Sequence, residues 1–519
     1  SPKFRVNKFY KKFIFGGESF NKGAYGNIML FMPLKSSQIN FALNNRNTNN
    51  QSSPVGILEN TNSNSSSYKL GLTKYNQNSY LNFIIDNFNM NYGIPPSLEG
   101  HINGVDIELI KNTFQFNYHS DMQLLQFNQF NLRYDFIDYM HKEFEISLIN
   151  KNSNLDNFSV GLSKVTHSIK FDIQSSNLIV GSELNYKKFI PSGLYWTPIT
   201  DELELSIYSF YNKELKNIDL MGALRSEYLL IQPRESRITF LNFDDDEVKD
   251  RNFKFVSSSI GFRKKINQFE INSWIMNSIK APRVEELYSD GPHLGTYSFE
   301  IGNPNLQLEK IYGIESSVSY NLNLFNVSFT TFYNYSPYYY QMTRIGLCNE
   351  PYIKGQSHPC AGANFIEWGA GTGWLYKYET KGVEALMRGI ELKADYYYKN
   401  FIMTYDFSMV RGDNLTDSQP LSYINPNKHI LNFEYKKEKI NFKLRLSYHQ
   451  NQDRVGQFEV PTQSSILTDI IIGYKLKSQN VTIQLNNIFN QEYYNHLSRI
   501  KSIMPEAGRN ISVVYRLAF

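Results

Sequence analysis

The chain has 519 residues, a formal net charge of +4 and a mean hydropathy of −0.43. So small a charge on so long a chain does not indicate a nucleic-acid-binding protein. No run of about 18 apolar residues occurs, which excludes transmembrane helices. The composition is nevertheless unusual, because 37 Tyr and 37 Phe residues occur together with Asn-rich connections. This combination is typical of short amphipathic strands with their apolar side chains on one face.

The predicted strands begin at residues 10–17 and alternate along the chain with connections of two kinds. Long polar connections are predicted at 45–65, 91–104, 138–157, 190–201, 229–251, 281–309, 337–386, 411–426, 450–464 and 490–508. Short turns are predicted near 212–216, 264–267, 322–324, 398–400, 436–439 and 477–480. Long connections on one side only are typical of a transmembrane barrel. The strand count is about 22, and an even count places the first and last strands side by side.

Individual strands alternate between apolar and polar residues. Phe442 and Leu444, for example, alternate with Lys443 and Arg445, and the last strand alternates in the same way up to Phe519. This pattern suits a wall with lipid on one side and a polar lumen on the other. The sequence therefore predicts an all-β protein, a transmembrane antiparallel β-barrel of about 22 strands with long extracellular loops and short periplasmic turns.

The segment 281–309 is a long, Gly- and Pro-punctuated connection that reads APRVEELYSDGPHLGTYSFEIGNPNLQLE. It resembles the signature loop of TonB-dependent outer-membrane receptors. Further stretches resemble the same family, namely GIPPSLEGH at 93–101, DYMHKE at 138–143, GIE at 389–391, QDRV at 452–455 with Glu459 and Thr462 beyond it, NNIFNQEYY at 486–494 and PEAGRN at 505–510. The DYMHKE stretch is similar to a string found in members that include metal-uptake receptors.

The resemblance implies that residues 1–519 are the β-barrel of a receptor in a Gram-negative outer membrane. It implies import of a scarce nutrient, powered by a TonB–ExbB–ExbD complex, and insertion by the barrel-assembly machinery, for which Phe519 resembles the recognition signal. Family members carry a plug and a TonB box before the barrel, and we expect neither in this chain. The chain is then a fragment or processed product, has a separate plug polypeptide, or forms an unplugged barrel.

Candidate ligand-binding residues are the imidazole and carboxylate groups in the predicted extracellular loops. They are His141, Glu143, His293 and Glu300, with His358 and Glu350 in the loop that carries both cysteines. Such groups suit Zn²⁺ or a similar borderline metal, for which His141, Glu143 and His293 are the candidates. In the alternative interpretation, His293 and Glu300 hold the loop's own hydrogen bonds, and His141 and Glu143 are solvated.

Three further side chains have two interpretations each. Trp368 and Trp374 either stack on an aromatic siderophore or a haem, or pack the loop against itself. Arg283 either faces an anionic ligand or pairs with an acidic neighbour such as Glu285 or Glu286.

The chain has two cysteines, Cys348 and Cys360, separated by eleven residues of one predicted loop. This spacing suits a disulfide formed in an oxidising compartment, and the alternatives are two free thiols or a metal pair.

The sequence contains none of the motifs GxSxG, HExxH or the P-loop, so we expect no enzyme activity and no intrinsic cofactor. The expected ligand is an iron chelate, haem or a metal ion, and the expected partners include outer-membrane lipids and a surface lipoprotein. Two other functions fit the same residues: a passive porin-like channel, and a surface receptor or scaffold for a partner protein.

Overall fold

The computed structural model describes residues 5–98, 100–145, 159–193, 197–234, 242, 244–353, 355–368 and 373–519. Twenty-two antiparallel strands form one closed barrel, which confirms the predicted fold class. These strands, numbered β1 to β22, are Tyr10–Glu18, Gly23–Pro33, Ser37–Thr48, Ser63–Tyr75, Ser79–Ile94, Val105–Leu124, Phe127–Glu145, Val160–Gln174, Leu178–Gly193, Thr200–Leu215, Ile218–Pro233, Arg251–Ile266, Phe269–Lys280, Glu309–Asn321, Phe325–Arg344, Trp374–Tyr398, Phe401–Asn414, Lys428–Lys437, Ile440–His449, Ser465–Leu476, Gln479–Asn486 and Asn510–Ala518.

The barrel closes where the two ends of the sheet meet. Strand β1 pairs with β2 on one edge and with β22 on the other, in a register that runs from Lys12 opposite Ala518 to Glu18 opposite Ser512. Just beyond this register, the Lys11 N–H donates to the Phe519 carbonyl at 2.8 Å and the Phe519 N–H donates to the Lys11 carbonyl at 3.0 Å. Closure leaves no exposed sheet edge, so the backbone polar groups of the wall are paired within it.

The connections at the two ends of the barrel differ in length. At one end, the short-turn end, each connection has two or three residues. Every two-residue turn begins with a residue in the left-handed region, with φ between 44° and 55°, at Leu125, Lys216, Asn267, Lys399, Glu438 and Lys477. At the other end, the long-loop end, the connections run up to 345–373. This asymmetry matches the predicted alternation of turns and loops.

Some of the predicted loops are shorter in the structure because the strands extend beyond the predicted ends. The connection predicted at 337–386 is reduced to 345–373, since β15 continues to Arg344 and β16 begins at Trp374. These extensions mix aromatic with polar and charged residues, and this composition predicted a connection. The predicted loops 138–157 and 229–251 fall partly outside the described residues.

The outer and inner faces of the wall have opposite polarity. Outward-facing apolar side chains are exposed on the isolated chain, as for Ile260 at 73% and Ile275 at 65%. The inner face carries polar pairs such as Asn272 with Ser317, in which Asn272 Nδ2 donates to Ser317 Oγ at 3.3 Å. Among the described residues, no helix combines the length and the apolar character needed to cross a bilayer.

The principal hydrophobic core lies at the long-loop end and is built around the connection 281–308. This connection contains the short helix α1, Val284–Tyr288, the strands Asp290–His293 and Ser298–Ile301, and a 3-10 turn, Leu294–Thr296. Its core residues have almost no solvent exposure, and they are Val284, Leu287, Tyr288, Leu294, Phe299 and Leu306. They pack against the ends of the surrounding strands, including Val105, Ile231 and Leu375.

The remaining elements are short. They are the strands Gln51–Ser53, Gly56–Leu58, Ile366–Trp368 and Gln419–Pro420, and the 3-10 turn Asp245–Glu247. The strand Ser298–Ile301 pairs in parallel with residues 376–379 of β16, above the point where β16 stops pairing with β17. The connection 281–308 is therefore hydrogen-bonded into the barrel wall.

Candidate functional site

Glu143 anchors the connection 281–308 to strand β7. Its side chain is fully buried, and its Oε2 accepts the backbone N–H groups of Leu294 at 2.8 Å and Gly295 at 3.3 Å. Its Oε1 lies 3.0 Å from His141 Nε2 and 3.4 Å from His293 Nε2. A buried carboxylate is costly unless it is paired and hydrogen-bonded, and here both oxygens have partners.

Glu300 extends this network to the last long connection, 487–509. Its Oε1 lies 3.2 Å from His293 Nδ1 and accepts hydrogen bonds from Arg499 Nη1 at 2.7 Å and Ser298 Oγ at 3.1 Å. Burial disfavours the charged form of each group, but mutual attraction outweighs it. The carboxylates of Glu300 and Glu143 raise the pKa of His293 to about 9, and His293 and Arg499 lower the pKa of Glu300 to about 2. Both groups are therefore charged near neutral pH.

The five residues His141, Glu143, His293, Glu300 and Arg499, called here the loop-anchoring network, join three segments that are distant in sequence. Four of them were predicted as ligand-binding residues, and the structure brings those four together. Their polar atoms bond to one another and to the backbone of 281–308, as in the alternative interpretation for His293 and Glu300. Glu143 differs from that interpretation, because it is buried rather than solvated. The proposed binding of a ligand by these residues stays a prediction.

A second buried network, which sequence reasoning did not predict, lies in the connections 450–464 and 487–509. Glu459 accepts hydrogen bonds from Lys501 Nζ at 2.9 Å and from the N–H groups of Gly456 and Tyr423 at 3.1 Å. His496 Nε2 lies 3.1 Å from the same carboxylate. Burial opposes its ionisation, but these partners lower the pKa of Glu459 to about 2. The family resemblance at 452–455 included Glu459, but no local sequence pattern indicates that Glu459 contacts His496 and Lys501.

A small cavity of about 30 Å³ lies between these networks, roughly the volume of one water molecule. Cationic and phenolic side chains line it from several segments: Arg344 at the end of β15, Tyr378 of β16, Tyr423, and Arg499 and Lys501 of 487–509.

The cations of this cavity stack on aromatic rings. The Arg499 guanidinium lies 5.3 Å from the Tyr378 ring centre and Lys501 Nζ lies 5.2 Å from that of Tyr423. Arg344 stacks on Tyr376, and within the described chain its buried Nε has no hydrogen-bond partner. The site thus presents positive charge and donors that its own acidic groups only partly offset.

Cys348 and Cys360 form a disulfide that closes the connection 345–373, with their Cα atoms 5.9 Å apart. His358 is buried beside it, stacked on Tyr352, and its Nδ1 accepts the Cys360 N–H at 3.1 Å. Among the described residues, Cys348, His358 and Cys360 are the one group of three potential metal ligands with all ligand atoms within 4.8 Å of one another. Since both sulfurs are bonded, this group offers one imidazole. Glu350 is exposed.

The other predicted site residues lie apart from the loop-anchoring network. Trp368 is opposite Trp374 in a short antiparallel pair and is 49% exposed. Arg283 precedes α1 with an exposed side chain, and its backbone N–H donates to Glu286 Oε2 at 2.8 Å. In the part of the chain that the structure describes, none of these three residues forms a hydrogen bond or ion pair with Glu143.

Comparison with known proteins gives a consistent result. The family model described as "TonB dependent receptor-like, beta-barrel" matches residues 36–490. A sequence search of curated proteins found no match. Among solved structures, the copper transporter OprC aligns with 99% of this chain and 84% of its own, at 11% identity and a TM-score of 0.81.

Two other solved structures show the same fold. An FrpB iron transporter from Neisseria meningitidis aligns with 100% of this chain and 83% of its own, at 13% identity and a TM-score of 0.75. The siderophore receptor PirA from Acinetobacter baumannii aligns with 99% of this chain and 81% of its own, at 13% identity and a TM-score of 0.71. At these identities the likeness concerns the fold.

Proposed function

Because the chain belongs to the TonB-dependent receptor β-barrel family, we propose that it is an outer-membrane receptor importing a scarce nutrient with energy from a TonB–ExbB–ExbD complex. The structures similar to it are named for copper, iron and siderophore uptake, so the candidate ligands are metal ions and metal chelates. The long-loop end then faces the outside of the cell, and the short-turn end faces the periplasm.

The observation that carries this proposal is the cavity lined by Arg344, Tyr378, Tyr423, Arg499 and Lys501. Side chains from several loops converge there, and a cavity with room for about one water molecule can take one charged group of a larger ligand. Arg499 pairs with Glu300 and Lys501 pairs with Glu459, whereas Arg344 has no carboxylate partner among the described residues, so the cavity carries an excess positive charge that repels a bare metal cation and attracts an anionic ligand. We therefore favour an anionic metal chelate, such as a ferric siderophore, or haem through its carboxylates.

Deletion of the gene in its native host tests the function. The deleted strain is grown on a panel of sole iron sources, namely ferric siderophores, haem and inorganic iron, and it should fail to grow on one of them. Growth under copper limitation and under zinc limitation is measured separately. The complemented strain should recover growth. Unimpaired growth on every source would argue for a surface receptor or scaffold instead.

Binding by the purified protein tests the cavity. Arg344→Ala should weaken the affinity for the growth-supporting chelate by roughly tenfold or more, because hydrogen bonds to charged groups contribute about 1.5–3 kcal/mol. Arg388→Ala is the matched control, since Arg388 is an exposed arginine on β16 that does not line the cavity. Equal affinities of the two variants would show that the cavity is not part of the binding site.

The alternative function, a passive channel, has a separate test. A steady large conductance of the native receptor in a planar bilayer would favour it.

A further inference from the structure

The rim at the short-turn end has an uneven charge. Strands β18 to β22 and β1 to β4 are neighbours in the closed sheet, and their ends and turns comprise the segments 5–12, 33–37, 73–80, 434–443, 474–481 and 516–519, called here the basic arc. The basic arc contains thirteen Lys or Arg and two Glu side chains, a net charge of +11. The other turn segments, 121–130, 172–179, 212–219, 263–270, 320–326 and 395–402, contain six basic and six acidic side chains.

Many of the lysines in the basic arc have no acidic neighbour. Among the described residues, no carboxylate lies within 4.0 Å of the ammonium groups of Lys11, Lys35, Lys437 or Lys477. The opposite half of the rim differs in its charge balance, because its acidic side chains equal its basic ones in number, and two pairs form there, Arg263 with Asp219 and Lys265 with Glu270. The positive charge of the basic arc is therefore available to a partner.

The basic arc also has the apolar surface of a membrane interface. Lys11 Nζ lies 5.0 Å from the ring centre of Phe9 and 4.9 Å from that of Phe519, and both rings are about half exposed. Phe13 stacks on Phe519 at 6.1 Å. Aromatic rings at the edge of a lipid-facing wall, with lysines extending past them, lie at the level of lipid headgroups.

We propose that the basic arc binds anionic glycerophospholipids, such as phosphatidylglycerol and cardiolipin, in the periplasmic leaflet of the membrane. The inference rests on the proposed outer-membrane location, but it does not depend on the transported ligand. Each exposed lysine near an anionic membrane surface contributes attraction that falls off with distance and salt. The unpaired lysines of the basic arc, which lie on one side of the rim, therefore enrich anionic lipids beside strands β18 to β22 and β1 to β4.

The test uses the complete native receptor in nanodiscs that contain phosphatidylcholine with a minor fraction of phosphatidylglycerol or cardiolipin. Lipids retained by the protein are counted by native mass spectrometry at low and high salt. The wild type should retain anionic lipid over phosphatidylcholine, and a variant with Lys11, Lys35, Lys437 and Lys477 changed to Gln should lose this preference by roughly tenfold. The same four positions changed to Arg should keep it.

The matched control carries Gln at Lys213, Lys216, Lys264 and Lys399, which lie on the balanced half of the rim. It loses the same formal charge and should retain anionic lipid like the wild type. Equal losses in both Gln variants, no preference in the wild type, or a preference unaffected by salt would overturn the proposal. Loss of binding to an acidic periplasmic protein with no change in lipid retention would assign the basic arc to that protein instead. Native migration of the unheated barrel in gels shows that each variant is folded.

Discussion

Charged side chains at the long-loop end are stabilised by several partners each. His293 contacts the carboxylates of both Glu143 and Glu300, and Arg499 contacts Glu300. The sequence indicated which residue types are present and that 281–309 is a functional loop. It did not show that the polar atoms of these side chains bond to one another, because His141 and Arg499 are distant from 281–309 in sequence. Only closure of the barrel brings them beside this loop.

The elevated pKa of His293 predicts that the connection 281–308 loosens in alkali. A histidine with a pKa of about 9 when folded, against 6.5 when unfolded, stabilises the folded state fully below pH 6.5, and this contribution of about 3 kcal/mol is lost as the pH rises through 9. Hydrogen exchange of the amides of 290–301, corrected for intrinsic rates, should show decreasing protection between pH 6 and pH 9.5.

His293→Gln provides the control for this pH dependence. The variant should show lower protection at pH 6 and nearly constant protection up to pH 9.5, since the titrating group is gone. Glu300, with its lowered pKa, contributes at any pH above about 4.5, so its stabilisation is lost only in strong acid, as the pH falls through about 2. A pH dependence that persists in the His293→Gln variant would show that another group is responsible.

The connection 281–308 behaves as a structural element and not as a solvated loop. Its sequence predicted a long polar connection, because Gly and Pro residues interrupt every periodic pattern. The structure shows a short helix, two short strands and several side chains without solvent exposure. A buried connection needs partners for its backbone, and β16 and the Glu143 carboxylate supply them.

Glu143→Gln should detach this connection from β7. The neutral amide keeps the size of the side chain but loses the attraction to His141 and His293, and breaking a buried charged contact costs about 3 kcal/mol. Limited proteolysis should then cleave within 281–308 faster than in the wild type, while the barrel remains resistant.

Glu270→Gln is the matched control for this experiment. Glu270 pairs with Lys265 at an exposed turn, and such pairs contribute less than about 1 kcal/mol. Its cleavage pattern should equal that of the wild type. If Glu143→Gln were also cleaved like the wild type, the carboxylate would not hold the connection in place.

At the scale of the whole molecule, closure between β1 and β22 determines which side chains become neighbours. Alternation and turn spacing predicted the strand count, the order of the strands and the two different ends. The lengths of the long connections were less well predicted, because strands such as β15 and β16 continue into stretches that mix aromatic with polar and charged residues.

Substitution of Phe519 tests whether assembly of the barrel in the membrane depends on a residue that contributes little to the stability of the folded barrel. Phe519→Ala should lower the amount of assembled barrel in cell membranes several-fold, if this residue is the recognition signal that the family resemblance implies. The purified variant should lose only about 1 kcal/mol, because the ring contact with Phe13 is small compared with the backbone pairing of β1 with β22.

Phe489→Ala controls for loss of an exposed aromatic ring, since Phe489 is 75% exposed in the connection 487–509. The assembled fraction is measured from heat-modifiable migration in gels of isolated membranes. Equal assembled fractions of the Phe519→Ala and Phe489→Ala variants would show that Phe519 is not an assembly signal.

The sequence by itself determined the barrel, its two unlike ends, and the family loop at 281–309. These features depend on local patterns, namely a two-residue alternation and the positions of turn residues, which can be read along the chain. Only the tertiary structure decided that Arg344, Arg499 and Lys501 line one cavity. It also decided that Lys11, Lys35, Lys437 and Lys477 belong to one basic arc. Both groupings arise because closure brings together segments that are more than a hundred residues apart, and no local sequence pattern indicates which distant segments become neighbours.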